Sequence, residues 1–331
     1  MRSEIRPPRP CRGNRLLKYR ESLVSALVLG LLIIIATSSC SDETGSGGKS
    51  VATKTPSDSL SVYVVNYPLQ YLAERIGGEH VRVTLPVTAE VDPAFWEPDA
   101  GQVVAYQQAD LILLNGASYA KWVQRVSLPA SRVVDTSAAF ADAYIPLADQ
   151  STHSHGASGE HEHEHGDVAF TTWLDPLQAV EQAAAIRDAL IRLRPDFAAD
   201  FQRNFAALGK DLRELNEQLA AVFAARQGQP LLFSHPVYQY LIRRYAIDGY
   251  AVHWEPDSMP DTGEWQALGQ LLYGHPARMM IWEGSPDPAI VMELQKRGLD
   301  SVVFEPGANL PGQGDYLGIM RANLKRLSRE P

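Results

Sequence analysis

Between residues 197 and 219 the apolar side chains Phe197, Phe201, Phe205, Leu208, Leu212, Leu215 and Leu219 recur at intervals of four, four, three, four, three and four. That spacing holds them on one face of a single continuous helix. Opened by Pro195, a helix of about 30 residues would run about 45 Å, long enough to traverse a molecule of two lobes. On either side of it the chain alternates short strands with helices.

Before the stripe, residues 61–66 (SVYVVN) read as a strand, residues 67–78 as a helix closing on Gly77-Gly78, and residues 81–87 as a strand. A second unit follows, with a helix over 100–108, a buried strand over 111–114 ending at Asn115-Gly116, a helix from Tyr119 and a strand over 132–134. A helix from about Leu177 to Leu193, with Pro176 in its first turn, leads to the stripe. Beyond the stripe, strands at 230–233, 250–252, 279–282 and 302–304 alternate with helices at 236–245, 263–273, 288–297 and 315–327. The fold expected is α/β: two lobes with parallel sheets covered by helices, joined by one long rigid connector helix. The divisions are an N-terminal α/β lobe over 59–194, the connector over 195–226 and a C-terminal α/β lobe over 227–331. The length of 331 residues suits two lobes, and 45% hydrophobic with 21% charged residues excludes a disordered chain or a polytopic membrane protein.

Residues 1–39 carry seven basic side chains against Glu4 and Glu21, followed by the apolar run from Leu23 to Ala36 and then Thr37-Ser38-Ser39-Cys40. The run reaches only about 21 Å, short of a ~30 Å hydrocarbon core, and small residues follow it, so 1–39 reads as a secretory signal peptide. The other reading is an uncleaved single-span anchor. A cysteine directly after small residues resembles the bacterial lipoprotein signal, which makes Cys40 the expected lipidation site. Residues 40–58 then form a flexible tether, and both readings place the body outside the cytoplasm, held to the membrane. Without its basic leader the chain has a net charge of −14, against −9 overall. A body that acidic repels phosphate backbones and attracts cations, which argues against nucleic acid as a partner.

Two features carry candidate chemistry. His235, Glu283 and Glu305 each stand just beyond a strand of the second lobe; if that sheet is parallel, all three point into one crevice. Imidazole and carboxylate are ligands for a divalent transition metal. The alternative is that one or both glutamates cap turns or pair with arginine. The second feature is the low-complexity loop 150–167, which holds five of the nine histidines: His153, His155, His161, His163 and His165. Closely spaced imidazoles capture metal, where a plain polar linker would not need them. Signals for an enzyme are weak. Gly116-Ala117-Ser118-Tyr119-Ala120 lacks the last glycine of a nucleophile elbow, and there is no phosphate loop or zinc-protease motif. His253 and His275 lie where a solvent-facing or core role is the expectation.

Together, several motifs resemble the zinc/manganese-type solute-binding proteins of bacterial ABC importers: Tyr67-Pro68 with Ile76-Gly77-Gly78, Asp92-Pro93 with Glu97-Pro98, Ala109-Asp110-Leu111 through Asn115-Gly116, Trp173-Leu174-Asp175-Pro176, Ser234-His235, and Asp315-Tyr316-Leu317 with Asn323-Leu324. A His-rich loop before Trp-Leu-Asp-Pro is typical of the zinc branch. The resemblance implies two α/β lobes joined by a long helix, holding one ion between them for an ABC permease. Zn2+ is the expected cargo, with Mn2+ or another divalent transition metal as the alternatives, and the receptor is expected to act as a monomer. At the metal site this chain departs from the pattern. Ala94 and Thr171 stand where such proteins place histidines, His235 holds the third position and Glu305 the fourth. The first lobe has lost its half of the site.

Three readings follow. In the leading one the protein remains a metal receptor and a loop imidazole replaces those lost; His165 lies six residues before Thr171, a reach of ~20 Å at ~3.3 Å per residue. In the second, the protein is an accessory lipoprotein that buffers metal through its loop or binds a non-metal solute. The third, an enzyme on the same lobes, has only His235, Glu283 and Glu305 behind it.

Overall fold

The computed structural model of the protein describes residues 59–147, 153–155, 159–163 and 168–328. The signal-peptide, tether and Cys40 readings fall on residues 1–58, outside the described residues, as does His165. Among the described residues no helix is long and apolar enough to cross a membrane.

The first lobe is built on four parallel strands, β1 (Leu60–Val64), β2 (Val81–Thr84), β3 (Leu111–Leu114) and β4 (Val133–Asp135), in the order β2-β1-β3-β4. Its helices begin where side chains satisfy their exposed N–H groups. Asn66 accepts from Leu69 N at α1 (Tyr67–Gly77), and Asp99 forms a capping box with Gln102 at α2 (Ala100–Gln108). The helix expected from Tyr119 is replaced by a single tight turn over Lys121–Arg125. Ala120 stands at its start and offers no side chain to cap the first N–H groups.

Residues 153–155 and 159–163 form an antiparallel hairpin, β5 (His153–His155) and β6 (Gly159–His163), with His153 opposite His163. The low-complexity loop thus contains a backbone ladder, and it leaves and re-enters the lobe at adjacent points, Pro146 pairing with Val168. Helix α3 (Pro176–Leu193) then starts at Asp175, whose carboxylate accepts from Leu177 N and Gln178 N. Helix α4 (Ala198–Ala224) carries the apolar stripe, with Phe201, Leu208, Leu212, Leu215, Leu219 and Phe223 buried. It packs on α1 and α3 of the first lobe.

The second lobe repeats the architecture with β7 (Leu231–Phe233), α5 (Gln239–Tyr245), β8 (Gly249–Ala251), α6 (Thr262–Gly274), β9 (Met279–Trp282), α7 (Pro288–Gln295), β10 (Asp300–Val303) and α8 (Tyr316–Leu327). Its parallel strands are ordered β10-β9-β7-β8. Helix α4 also packs on α5 and α8, so one apolar core runs through both lobes along its stripe. A second core, with Leu232, Trp254, Met280, Trp282 and Leu294, fills the opposite face of the second sheet.

Polar bonds tie the lobes across the crevice. Tyr67 N donates to Ala308 O (3.0 Å), Trp173 Nε1 to Pro306 O (2.8 Å) and the Tyr316 hydroxyl to Trp173 O (2.8 Å). The buried Asp175 carboxylate accepts from Arg244 through both oxygens, at 2.7 and 2.6 Å.

Candidate metal centre

Because the second sheet is parallel, the carboxyl ends of its strands open on one side, as ligand sites in such sheets do. His235 follows β7, and Glu283 follows β9 directly; these adjacent strands bring the pair together as the sequence spacing predicts. Glu305 does not join them. Strand β10 is separated from β7 by β9, and strands in a sheet lie about 4.8 Å apart, so the end of β10 is two spacings from His235. The Glu305 carboxylate accepts from Arg326 instead (2.8 Å), and Asn323 holds its backbone N–H and C=O. For Glu305 the arginine-pair alternative is the one realised.

The third member of the group is Glu255, on the segment after β8, the other neighbour of β7. His235, Glu255 and Glu283 offer ligand atoms that all lie within 4.8 Å of one another. Pairing with β7 continues past the formal strand end, Val252 N donating to Phe233 O (2.8 Å) and Trp254 N to Ser234 O (2.7 Å). Extended backbone alternates its side chains. Trp254 is buried against Trp265 and Trp282, which turns His253 and Glu255 to the opposite side. The His253 ring accordingly lies 5.9 Å from the His235 ring, edge to face. The sequence reading missed both, giving His253 a solvent-facing or core role and leaving Glu255 out; the alternating His253-Trp254-Glu255 triplet was the one local signal for them. His275, by contrast, has a structural role, its Nε2 lying 3.1 Å from Leu231 O.

His235 Nδ1 stands 3.7 Å from Glu255 Oε1 and 3.9 Å from Glu283 Oε1. These separations exceed hydrogen-bond length and approach the roughly 3.4 Å between donors around a tetrahedral ion with ~2.0–2.1 Å bonds. The His235 side chain is 5% exposed and those of Glu255 and Glu283 are 20% and 25% exposed. Burial, then the negative charges of Glu255 and Asp92, push the Glu283 carboxyl up to about 8. Burial and the neighbouring charges thus favour the protonated form of Glu283, and a cation held between the two carboxylates and the imidazole would reverse that preference.

The first-lobe wall is made differently. Ala94 is buried, and Thr171, also buried, spends its hydroxyl on Val237 O of the second lobe (2.6 Å). The segment around Thr171 is fixed by Asn115, whose side chain donates to Phe170 O (2.9 Å) and accepts from Asn66 (3.2 Å) and Gln182 (3.2 Å). After Asn115 the chain turns through Gly116, Ala117 and Ser118, with φ of 77°, 48° and 56°. A Cβ at Gly116 would lie 1.9 Å from Ser137 Oγ, so only glycine fits there. The left-handed alanine and serine cost about 1–2 kcal/mol each. This turn sets the Tyr119 ring edge-on to Phe170 and Trp173.

Among solved structures, the metal-dependent lipoprotein YcdH of Bacillus subtilis is similar with a TM-score of 0.70 and 18% identity, over 82% of this chain and 98% of that one. The Zn(II)-bound ZnuA-like domain of Streptococcus pneumoniae AdcA is similar with a TM-score of 0.69 and 22% identity, again over 82% and 98%. By sequence, the zinc-binding lipoprotein AdcA of Streptococcus pneumoniae (strain ATCC BAA-255 / R6) is 24% identical over 315 residues, covering 92% of this chain, which spans 60% of that relative's length. The family model described as ZnuA, zinc-uptake complex component A, periplasmic, matches residues 62–330, and the chain therefore belongs to the ZnuA family, whose members are substrate-binding receptors and not enzymes.

Proposed function

We propose that this protein is an extracytoplasmic receptor, anchored through a lipidated Cys40 and acting as a monomer, that captures a divalent transition metal and delivers it to an ABC permease. Zinc is the leading cargo. The observation that carries the reading is the group His235, Glu255 and Glu283: three donors from adjacent strand ends, spaced for one ion. An acidic body draws cations toward the crevice. One neutral imidazole and two carboxylates are an N/O set that zinc accepts and that also admits Mn2+. The His-rich loop, with His153, His155, His161, His163 and His165, serves as a first, weaker capture site. Its base lies against α5, where the Tyr240 hydroxyl donates to Ala169 O (2.9 Å).

Calorimetry with metal analysis on the wild type, on His235→Ala and on a deletion of residues 151–166 tests the reading. One tight zinc lost in His235→Ala and kept in the deletion supports a crevice receptor that the loop feeds. A tight site lost in both variants means that the loop completes the crevice. Several weak ions that disappear only with the loop would leave a buffering lipoprotein and sink the receptor reading.

A further inference from the structure

His235 reaches the metal centre from a tight turn whose two sides are held by different lobes. The geometry points to Thr171 as a positioning residue for His235: through one hydrogen bond to the backbone just after that histidine, the first lobe sets how firmly the ion is held, without Thr171 ligating it. The inference rests on His235, Glu255 and Glu283 being the metal centre.

Upstream of His235 the second sheet fixes the chain, with Ser234 N donating to Ile281 O (2.8 Å) and Ser234 O accepting from Trp254 N (2.7 Å). Downstream the chain folds back on itself, with Val237 N donating to His235 O (2.9 Å) and Gln239 Nε2 to Pro236 O (2.6 Å). The Val237 carbonyl, at the end of this turn, accepts from Thr171 Oγ1 of the first lobe (2.6 Å). Three residues on, the Tyr240 hydroxyl returns a bond to Ala169 O (2.9 Å). Residues 169–171 and 237–240 therefore form a short seam between the lobes, bonded in both directions, immediately after the histidine.

Thr171 is itself firmly placed. It is 4% exposed, its carbonyl accepts from Leu174 N (3.1 Å), and the carbonyl before it accepts from Asn115 Nδ2 (2.9 Å). A donor fixed in this way imposes its position on the carbonyl it holds. Removing the hydroxyl alone takes the donor from a half-buried carbonyl, a cost the turn relieves by moving. A binding site holds its geometry to within about 0.5 Å, so a small shift of residues 235–237 reaches the ion through the imidazole. Separation of the lobes breaks the same bond, which makes opening of the crevice and weakening of the His235 ligand a single event.

The test uses the full chain as wild type, Thr171→Val, Thr171→Ser, Asn309→Ala and His235→Ala. Asn309 is the reference, because its Nδ2 also donates across the crevice, to Thr88 O (2.7 Å) and Val91 O (2.6 Å), but to residues outside the His235 turn. Zinc affinity is read by competition with a chromophoric chelator, release by stopped-flow transfer to excess chelator, and stability by urea unfolding of the metal-free protein. Thr171→Val is expected to bind zinc roughly tenfold more weakly with correspondingly faster release, while Thr171→Ser and Asn309→Ala stay within about threefold of wild type. If Thr171→Val binds like wild type while His235→Ala does not, the metal centre stands and the inference fails. Equal losses of affinity in Thr171→Val and Asn309→Ala would reduce the bond to general cohesion of the lobes and also overturn it, as would a Thr171→Ser variant as weak as Thr171→Val. If His235→Ala itself binds like wild type, the metal centre falls and the inference falls with it. Should urea unfolding show that Thr171→Val does not fold, Thr171→Ala against Thr171→Ser carries the same comparison.

Discussion

His235 Nδ1 lies 3.7 Å from Glu255 Oε1, although 20 residues separate the two in the chain and they stand at the ends of neighbouring parallel strands. The distance is too long for a direct hydrogen bond and short enough for one ion to be shared.

Glu255→Ala is therefore expected to weaken zinc binding by about 10- to 100-fold, a loss of about 1.4–2.8 kcal/mol. Glu305→Ala, which removes only the partner of Arg326, should leave the affinity within about threefold of wild type. Chelator competition on the two variants checks the contrast. Equal losses would return Glu305 to the ligand set.

The Glu283 carboxyl, held at about 8 against an ordinary 4.5, binds a proton in the folded protein over a pH range where the unfolded chain has released it. Stability of the metal-free protein should thus be fully present below about pH 4.5 and decline as pH rises through about 8, by at most on the order of 5 kcal/mol from this group. Glu283→Gln should flatten that part of the profile. Zinc binding at pH 7 should expel about one proton, seen in calorimetry as a heat that scales with buffer ionisation enthalpy. Unchanged pH dependence in Glu283→Gln would count against the assignment.

Trp254 anchors the segment that presents His253 and Glu255. Trp254→Ala should cost about 3–5 kcal/mol of stability through the cavity it opens, and it should also weaken zinc binding although the residue offers no ligand atom. Urea unfolding and zinc titration on the same sample would report both effects. A stability loss with unchanged affinity would mean that the segment keeps its course without the tryptophan.

Arg244 satisfies the buried Asp175 carboxylate with two bonds, and Asp175 also caps α3. Arg244→Ala is expected to destabilise the protein by about 2–4 kcal/mol because a buried negative charge loses its partner. Adding Asp175→Asn, which retains a capping oxygen, should recover part of that loss. A double-mutant cycle in urea measures the coupling, and strict additivity would show that the pair contributes nothing jointly.

Much of the site was legible in local patterns. His235 and Glu283 follow short, wholly apolar runs, and parallel-sheet geometry sends residues after such runs to one edge. Glu305 shares that local signature, yet strand order keeps it away, and strand order is a non-local property. Glu255 stands four residues beyond β8, where a local reading sees only loop; the continued pairing with β7 and the burial of Trp254 bring it back to the site. The helix expected from Tyr119 stops at one tight turn over Lys121–Arg125, which begins at Ala120 without a capping side chain.

The sequence by itself determined what repeats locally: an α4 stripe with helical period, strands and helices alternating on either side, caps at Asn66, Asp99 and Asp175, and the absence of imidazoles at 94 and 171. These follow from periodicity, backbone hydrogen-bond demand and side-chain chemistry within a few residues. Only the tertiary structure decided which carboxylate meets His235, and that Asn309 fastens the Asp92 loop across the crevice. Those choices depend on the order β10-β9-β7-β8 and on contacts between residues more than 200 positions apart, and they are settled by the packing of both lobes on one helix.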